Sequence, residues 1–560
     1  MQSLELKDYV VFFIYFIVVS SYGYWIYIRK KRVEVDSKDF FLAEGSLTWW
    51  AIGASLIASN ISAEQFIGTS GSAFAMGLAI SSYEWMAAAT LLIVAIFFLP
   101  IYLRNKIYTM PQFLAQRYSP TVATIMAVFW LLVYIFVNLS SILYLGALAV
   151  DTISGLGSTT CIIGLAVFAV FITLGGMKVI GYTDVIQVLV LVAGGLVTTY
   201  LAISKVNVDL NLGGLGNAID FIRTDAADHF HMILNKGQMM MPDGKGGEAD
   251  AYQALPGLAV LIGAMWIANL NYWGCNQYIT QRALGADLKT ARSGLLFAAF
   301  LKLLMPIIVV VPGIVAYVLY KNGIFNQEMM GTITQDDGTL KEVLKSDKAY
   351  PVLLGLLPAG LKGLSFAALT AAIVASLAAI VASLAGKANS ISTIFVLDLY
   401  KKYFKKDASE THLVNVGKIA IVGAMIIAIL VAPALSRFDQ AFQFIQDFTG
   451  LISPGVVAIF LLGMFWKKAN GTAALVAALL TLPLGLAFNE WMPFIPFLHR
   501  MGYVFLILVA IMVVISLARP QKPGEGQVEV DAGMFKISGA FAVGTILVSG
   551  IIAALYIIYW

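Results

Sequence analysis

Cysteine, histidine and charge are all scarce in this chain of 560 residues. Its two cysteines, Cys161 and Cys275, stand in separate apolar segments, and its four histidines lie in or near connecting segments. These counts and spacings support neither a disulfide framework nor a Cys/His metal site. Charged residues make up only 12% of the chain, far below the roughly 25% of soluble domains. A protein with one large soluble core is therefore excluded.

Apolar residues, in contrast, make up 60% of the chain. They are grouped in runs of about 20 residues, the length that a helix needs to cross a bilayer. The chain is therefore predicted to be an all-α polytopic membrane protein. We expect about fourteen transmembrane helices, near residues 8–28, 47–74, 76–103, 120–151, 157–176, 183–203, 256–280, 293–320, 352–397, 413–435, 437–466, 470–490, 500–518 and 536–559.

The distribution of lysine and arginine predicts the orientation in the bilayer. Basic residues are concentrated in the loops after odd-numbered spans, from residues 29–32 near the start to Arg519 and Lys522 near the end. The loop 204–255, which follows an even-numbered span, contains more acidic than basic residues. Because short basic loops stay in the cytoplasm, we expect a multi-pass protein of the cell membrane with both termini outside.

Two predicted spans are interrupted by polar residues. The second span contains the run ASNISAEQFIG at residues 58–68, and the seventh contains ANLNYWGCNQY at residues 268–278. Backbone polar groups in hydrocarbon need partners, so such breaks persist only where they are buried in protein or line a wet cavity. A matched pair of broken helices is typical of transporters built from inverted repeats, which bind substrate and ion near the membrane midplane.

The five-span separation of the two breaks predicts a core of two inverted repeats with five helices each. The first repeat would cover residues 47–203 and the second 256–466, which includes an outer loop at 321–350. Residues 1–46 would form the first span with its basic inner loop, residues 204–255 an outer loop, and residues 467–560 three peripheral spans. The two long outer loops could be caps on the outer face or mobile connectors.

Several motifs in one order carry a resemblance to a known family. They are ASLIASNISAEQFIG at 54–68, SYEWM at 82–86, TDVIQ at 183–187, NQY with QR at 276–282, and FQFIQ at 442–446. In these motifs the chain resembles the sodium/solute symporters, and within them the sodium/glucose and sodium/galactose cotransporter branch. The resemblance implies alternating access and the import of a hexose, such as glucose or galactose, together with a sodium ion. A sodium symporter for inositol, sialic acid or an amino acid is the alternative.

The resemblance also implies a sugar site. Carboxylate and amide groups can form paired hydrogen bonds with sugar hydroxyls, and charged groups inside spans are costly enough to indicate function. Glu84 could instead be a structural partner for a buried cation, Lys302 could extend toward the membrane interface, and each amide could join two helices. The implied substrate-binding residues are Gln65, Glu84, Asn269, Lys302 and Gln446.

Gates are implied on both sides of this site. Tyr272 matches the inner gate, whose ring stacks on the sugar, and Tyr83 and Phe442 match parts of the outer gate. Two positions depart from the galactose-transporter pattern: Thr69 replaces an apolar methionine of the outer gate, and Ala87 replaces a serine that contributes to sugar binding. Because one missing hydrogen-bonding group can change discrimination strongly, a preference for galactose over glucose does not follow.

The implied sodium site combines carbonyls of Ala58 and Ile61 in the first break with a facing helix. That helix repeats the heptad AAIVASL at 371–377 and 378–384. Seven residues advance a helix by about 10.5 Å and turn it by about 20° from register, so both copies present one face at different depths and only one can meet the break. We favour the second copy, with Ala379, Ala382 and Ser383. The first copy, with Ala372, Ala375 and Ser376, is the alternative.

Asp184 matches an acidic family position on the sodium exit route, although it could equally cap the N-terminus of a helix. A membrane-embedded enzyme would need a catalytic pair or metal cluster in its core, and the sequence has no HExxH motif. The predicted function is therefore sodium-driven sugar transport without enzymatic activity. Its partners would be Na⁺, a sugar and the lipid bilayer, with no role for nucleic acid.

Overall fold

The computed structural model forms helices in the apolar segments and short hairpins in the long loops. It describes residues 47–560 except 62–63, 175, 244–245, 335–339, 357–379, 382, 438–440, 521–525 and 527, together with residues 17, 21–22 and 25. The first predicted span therefore lies almost wholly outside the described residues, as does much of the ninth.

The described helices before residue 230 follow predicted spans two to six and the segments that connect them. Short π-helical segments at Glu64–Thr69, Val94–Phe98 and Val133–Leu139 and a 3₁₀ turn at Gly77–Ser81 connect several of them. Pro120, at the start of its helix, lies beside Ser119, whose side chain accepts a hydrogen bond from the backbone N–H of Val122. The helices are α1 (Trp49–Asn60), α2 (Ser70–Met76), α3 (Ser82–Ile93), α4 (Leu99–Arg104), α5 (Met110–Arg117), α6 (Pro120–Leu132), α7 (Ser140–Ser154), α8 (Ser158–Thr173), α9 (Gly176–Asp209) and α10 (Leu215–Asp225).

The helices after residue 250 follow the remaining spans. The helix over 383–393, here α16, continues as the π-helical segment Ile394–Phe404. The others are α11 (Leu258–Ile262), α12 (Met265–Gly274), α13 (Gln277–Leu284), α14 (Leu288–Lys321), α15 (Ala349–Leu356), α17 (Glu410–Val431), α18 (Ala441–Phe465), α19 (Gly471–Trp491), α20 (Phe497–Ala518) and α21 (Gly539–Ile558).

In the described part of the chain, nine helices are long and apolar enough to cross a membrane. A tenth is added if Ala251–Ile262 and Met265–Gly274, which are bent by 76° relative to each other, form one span. This is a multi-pass helical architecture. The count of fourteen spans stays a prediction.

Both predicted breaks contain an interruption of a helix, but most of the second polar run is helical, and a further interruption precedes it. In the first, α1 ends at Asn60, Ile61 is extended, and helix resumes at Glu64. In the second, α12 includes most of the predicted polar run. The interruptions lie on either side of α12, at Gly263 and at Cys275 with Asn276. The run stays helical because its amides have partners: Asn269 Nδ2 donates to the Met265 carbonyl at 3.1 Å within the same helix.

The long loops carry their own secondary structure. Strands β1 (Met240–Pro242) and β2 (Glu248–Asp250) form one antiparallel hairpin, and β3 (Met330–Thr334) and β4 (Leu340–Leu344) form another. In the loop 204–255, the His229 ring stacks on Tyr317 at 3.8 Å between centroids, and its Nε2 lies 3.1 Å from the Phe74 carbonyl. This loop also contacts the last helix, because Met232 N–H donates to the Tyr559 carbonyl at 2.7 Å. The loop therefore folds over the ends of α2, α14 and α21.

Helix α14 lies at the centre of the core and packs against α1, α2, α3 and α9. Glycines allow the closest approach, as is usual where helices pack inside a membrane. A Cβ built on Gly53 of α1 would lie 2.7 Å from the carbonyl oxygen of Gly294 and 2.6 Å from Cδ1 of Phe297. Both contacts are closer than real Cβ atoms make, so α1 and α14 touch backbone to backbone.

We expect Gly53→Ala to lower the thermal unfolding temperature of the detergent-solubilised protein. The added methyl group would push α1 away from α14, and such overpacking costs about 1–3 kcal/mol. The matched control is Gly164→Ala in α8, where the added Cβ would meet no heavy atom within 4 Å. Equal unfolding temperatures for the two variants would contradict this account of the contact between α1 and α14.

Candidate functional site

A cavity of about 1080 Å³ of empty space, including its open mouth, lies between the two broken regions and α18. All five predicted sugar-binding residues line it, together with Tyr83, Tyr272 and Ala87. Its other polar lining residues include Asn60, Tyr134, Asn138, Asn271, Asn276, Tyr278, Lys387, Thr449 and Ser453.

Glu84 and Lys302 form a buried ion pair at the wall of this cavity. Their residues are only 2% and 1% exposed, and Lys302 Nζ also lies 5.2 Å from the centroid of the Trp273 ring. Burial of either charge alone would be costly, and the pair compensates both. Lys302 therefore does not extend toward the membrane interface, which was the alternative for this residue.

The predicted amide ligands are held by neighbouring polar groups. Thr69 Oγ1 donates to Gln65 Oε1 at 2.9 Å, so the hydroxyl that replaces a methionine of the family pattern fixes the orientation of Gln65. Gln446 faces the phenol of Tyr83. Thr69 is fully buried, and the contact observed for it is with Gln65 of the predicted substrate-binding set.

Tyr272 lines the cavity and contacts the residue at which the first break begins. Its hydroxyl accepts a hydrogen bond from Asn60 Nδ2 at 2.9 Å, and Asn60 is the last residue of α1. The Tyr272 ring also meets Tyr278 edge to face, with centroids 5.6 Å apart. These contacts hold the Tyr272 ring between the two broken regions, and its role as the inner gate stays a prediction.

The second heptad copy meets the first break. Ser383 Oγ in α16 donates to the Ser59 carbonyl at 3.0 Å, and Ser59 lies between the predicted carbonyl ligands Ala58 and Ile61. Both of these residues are completely buried. The arrangement brings a hydroxyl and the carbonyls of a broken helix together, and such hard oxygens are the groups that half-helix ends use to hold Na⁺.

Several predicted residues lie where the structure gives no side-chain detail. Phe442 is in the first turn of α18, but only its backbone is described. The remaining heptad positions lie outside the described residues, so both the favoured and the alternative sodium ligands there stay predictions. They are Ala372, Ala375, Ser376, Ala379 and Ala382.

Asp184 belongs to a buried polar network that joins three elements. Ser55 Oγ donates to Asp184 Oδ2 at 2.5 Å, Arg282 Nε donates to Ser55 Oγ at 2.9 Å, and Arg282 Nη2 lies 4.0 Å from Asp184 Oδ2. Helix α9 begins at Gly176, eight residues before Asp184. The alternative role as a helix N-cap is therefore wrong: the polar residues Thr183 and Asp184 suggested a helix start, but the helix begins further upstream.

Sequence reasoning missed several residues that complete the site. Tyr134 donates its hydroxyl to Asn276 Oδ1, and Asn271 Nδ2 donates to Ser453 Oγ at 2.9 Å. No local pattern marks Tyr134, because its partner is 142 positions away. Lys387, in contrast, has a clear signal: it is a lysine inside a predicted span, and the argument that singled out Lys302 applies equally to it.

A cavity between two broken helices, with a buried ion pair in its wall and a hydroxyl beside the carbonyls of the first break, is typical of an ion-coupled solute transporter. The model of the sodium:solute symporter family matches residues 40–481. The chain belongs to this family, and the resemblance inferred from its motifs is confirmed.

Individual relatives and one solved structure are similar to this chain over most of its length. The chain is 44% identical to the sodium/glucose cotransporter of Vibrio parahaemolyticus over 100% of its own length and 99% of that protein. It is 34% identical to the human sodium/myo-inositol cotransporter 2, over 87% of its length and 70% of that protein. Among solved structures, a Na⁺-coupled sialic acid symporter in a substrate-bound, outward-open state is 22% identical, with a TM-score of 0.75 over 92% of this chain and 99% of that one. This last likeness supports the fold.

Proposed function

We propose that this protein imports a sugar, a hexose such as glucose or galactose, by sodium-driven alternating access. The observation that carries the proposal is the single cavity that holds the Glu84–Lys302 pair and the amides of Gln65, Asn269 and Gln446. A carboxylate accepts and an ammonium donates, while amides do both, so the set matches the adjacent hydroxyls of a pyranose. Similarity to a sodium/glucose cotransporter over the whole chain supports this choice.

In the proposed cycle, sodium and sugar bind to adjoining parts of the first break. The carbonyls of Ala58 and Ile61, the Ala379 carbonyl and the Ser383 hydroxyl hold the ion, while Ala382 supplies no hydroxyl where the family has a serine. Gln65 follows the break by one helical turn, so a bound ion that orders the break also positions this sugar ligand. This shared segment gives the coupling of the two solutes a physical basis.

Gate movements complete the cycle. The outer gate at Tyr83, Phe442 and Thr69 closes over the occupied site, and release follows when Tyr272 leaves Asn60. Sodium then leaves past Asp184, whose partners Ser55 and Arg282 link α1 to α13.

We further propose fourteen spans, two inverted five-helix repeats at 47–203 and 256–466, three peripheral spans within 467–560, and both termini outside. The contact between the loop 204–255 and the end of α21 supports placing that loop and the C-terminus on one side. The acidic character of the loop supports assigning that side to the exterior.

The direct test is uptake of labelled glucose and galactose by proteoliposomes that contain the purified protein. We expect accumulation with an inward sodium gradient, and sodium-dependent counterflow of labelled sugar without a gradient. Myo-inositol, sialic acid and amino acids at equal concentration serve as competitors. If neither hexose is transported or exchanged, while one of the competitors is, the sugar assignment is wrong and that competitor class replaces it.

The hydrogen bond between Asn60 and Tyr272 makes a separate prediction. Tyr272→Phe removes the hydroxyl but keeps the ring, so the closed gate should lose a bond of about 1 kcal/mol and open more often. We expect sugar to leak out of loaded proteoliposomes a few-fold faster in the absence of sodium. Asn60→Ala should increase the leakage rate by a similar factor. The double variant Tyr272→Phe with Asn60→Ala should leak little faster than either single variant. Additive effects of the two substitutions would show that the bond is not what closes the gate.

A further inference from the structure

Thr69 holds one end of the Gln65 side-chain amide. Its Oγ1 donates a hydrogen bond to Gln65 Oε1 at 2.9 Å, and both residues belong to the π-helical segment Glu64–Thr69. A threonine hydroxyl inside a helix often donates instead to the backbone carbonyl four residues earlier, as Thr90 Oγ1 does to the Met86 carbonyl at 2.8 Å. The hydroxyl of Thr69 is therefore committed to a side chain rather than to the backbone.

The two ends of the Gln65 amide face different surroundings. Gln65 lines the cavity, whereas Thr69 is 0% exposed and is not one of the lining residues. The bond to Thr69 therefore turns the amide oxygen into the protein. The amide nitrogen, on the other side of the same planar group, is the end that is turned toward the cavity. An amide nitrogen donates hydrogen bonds and does not accept them.

Asn269, the other amide of the broken regions that is predicted to bind sugar, is held in the opposite sense. Its Nδ2 donates to the Met265 carbonyl at 3.1 Å, and the residue lines the same cavity. The end of Asn269 that is turned away from this backbone contact is Oδ1, which accepts hydrogen bonds. The two amides therefore offer opposite polarity to a ligand, and in Gln65 the polarity depends on the Thr69 hydroxyl.

We propose that Thr69 is a positioning residue that makes Gln65 a hydrogen-bond donor to the transported sugar. One ring position of the sugar then meets Gln65 with its oxygen as the acceptor, and the hydrogen of that hydroxyl is not needed for the contact. Without the Thr69 hydroxyl, the Gln65 amide can turn over and offer either end. This inference rests on the proposed function, because it takes Gln65 as a sugar ligand.

The test measures how strongly deoxy and deoxyfluoro analogues of the transported hexose inhibit its sodium-driven uptake into proteoliposomes. A fluorine substituent can accept a hydrogen bond but cannot donate one, whereas a deoxy position does neither. For the wild type we expect one ring position at which the fluoro analogue inhibits about fivefold more strongly than the deoxy analogue, as one retained hydrogen bond would give. In Thr69→Val, this ratio should fall to about twofold or less at the same position.

Two control variants separate positioning from packing. Thr69→Ser keeps the hydroxyl and should keep the ratio of the wild type. Thr90→Val removes a hydroxyl that is equally buried but bonds the backbone away from the cavity, so it should also keep the ratio. Thr69→Ala provides the same readout if the valine variant does not fold.

The outcomes distinguish this inference from the proposed function. If the wild type has no ring position at which the fluoro analogue inhibits more strongly than the deoxy analogue, Gln65 is not a donor to the sugar. If Thr69→Val keeps the ratio, or if Thr69→Ser or Thr90→Val loses it as well, the positioning role of the Thr69 hydroxyl is overturned. A wild-type protein in which sodium drives no hexose uptake would overturn the proposed function itself, before any analogue is compared.

Discussion

Glu84→Gln is expected to reduce sodium-driven sugar uptake at least 100-fold and to destabilise the protein. The substitution removes a hydrogen-bonding carboxylate from the cavity, and it leaves the ammonium of Lys302 buried against Trp273 without its counter-charge. Breaking one side of a buried ion pair costs about 3–5 kcal/mol. Uptake into proteoliposomes at matched protein content, together with the thermal unfolding temperature in detergent, measures the two effects.

The partner variants separate the structural and binding contributions of this pair. Lys302→Met should be as damaging as Glu84→Gln, because it strands the carboxylate. The double variant Glu84→Gln with Lys302→Met buries no unpaired charge, so we expect most of the thermal stability to return while uptake stays at least 100-fold low. If the double variant recovers uptake as well, the pair serves only the fold, and Glu84 and Lys302 do not bind substrate.

Much of this site follows from the sequence because its residues stand out against an apolar background. Glu84 and Lys302 are charges inside spans, and the run at 58–68 is polar where hydrocarbon is expected. The physical cost of burying such groups makes them visible without a structure. The same reasoning applies to Lys387, which the sequence offered just as plainly.

Other features depend on contacts that the residue types alone do not reveal. The second polar run is interrupted only near its end, at Cys275 with Asn276, and another interruption at Gly263 precedes it. Most of the run stays helical because Asn269 and Asn271 find partners without unwinding α12. The role of Thr69 as the donor to Gln65 depends on where the π-helical segment places them. A threonine in place of an apolar gate residue does not by itself reveal that contact.

The repeated heptad leads to the second large effect, which concerns sodium. Ser383→Ala removes the hydroxyl that meets the Ser59 carbonyl. The favoured site already has Ala382 where the family has a serine, so the loss of Ser383 would leave no side-chain oxygen from this heptad. We expect the half-saturating sodium concentration for sugar uptake to rise at least tenfold, with the maximal rate at saturating sodium less affected.

Ser376→Ala is the matched control, because Ser376 holds the same place in the first heptad copy, seven residues earlier in the sequence. It should leave the sodium dependence within twofold of the wild type. Thermal stabilisation by sodium in detergent, measured without sugar, distinguishes a lost ion ligand from a slower transport step. If the sodium dependence shifts only for Ser376→Ala, the first copy faces the break during transport. The ligands would then be Ala372, Ala375 and Ser376.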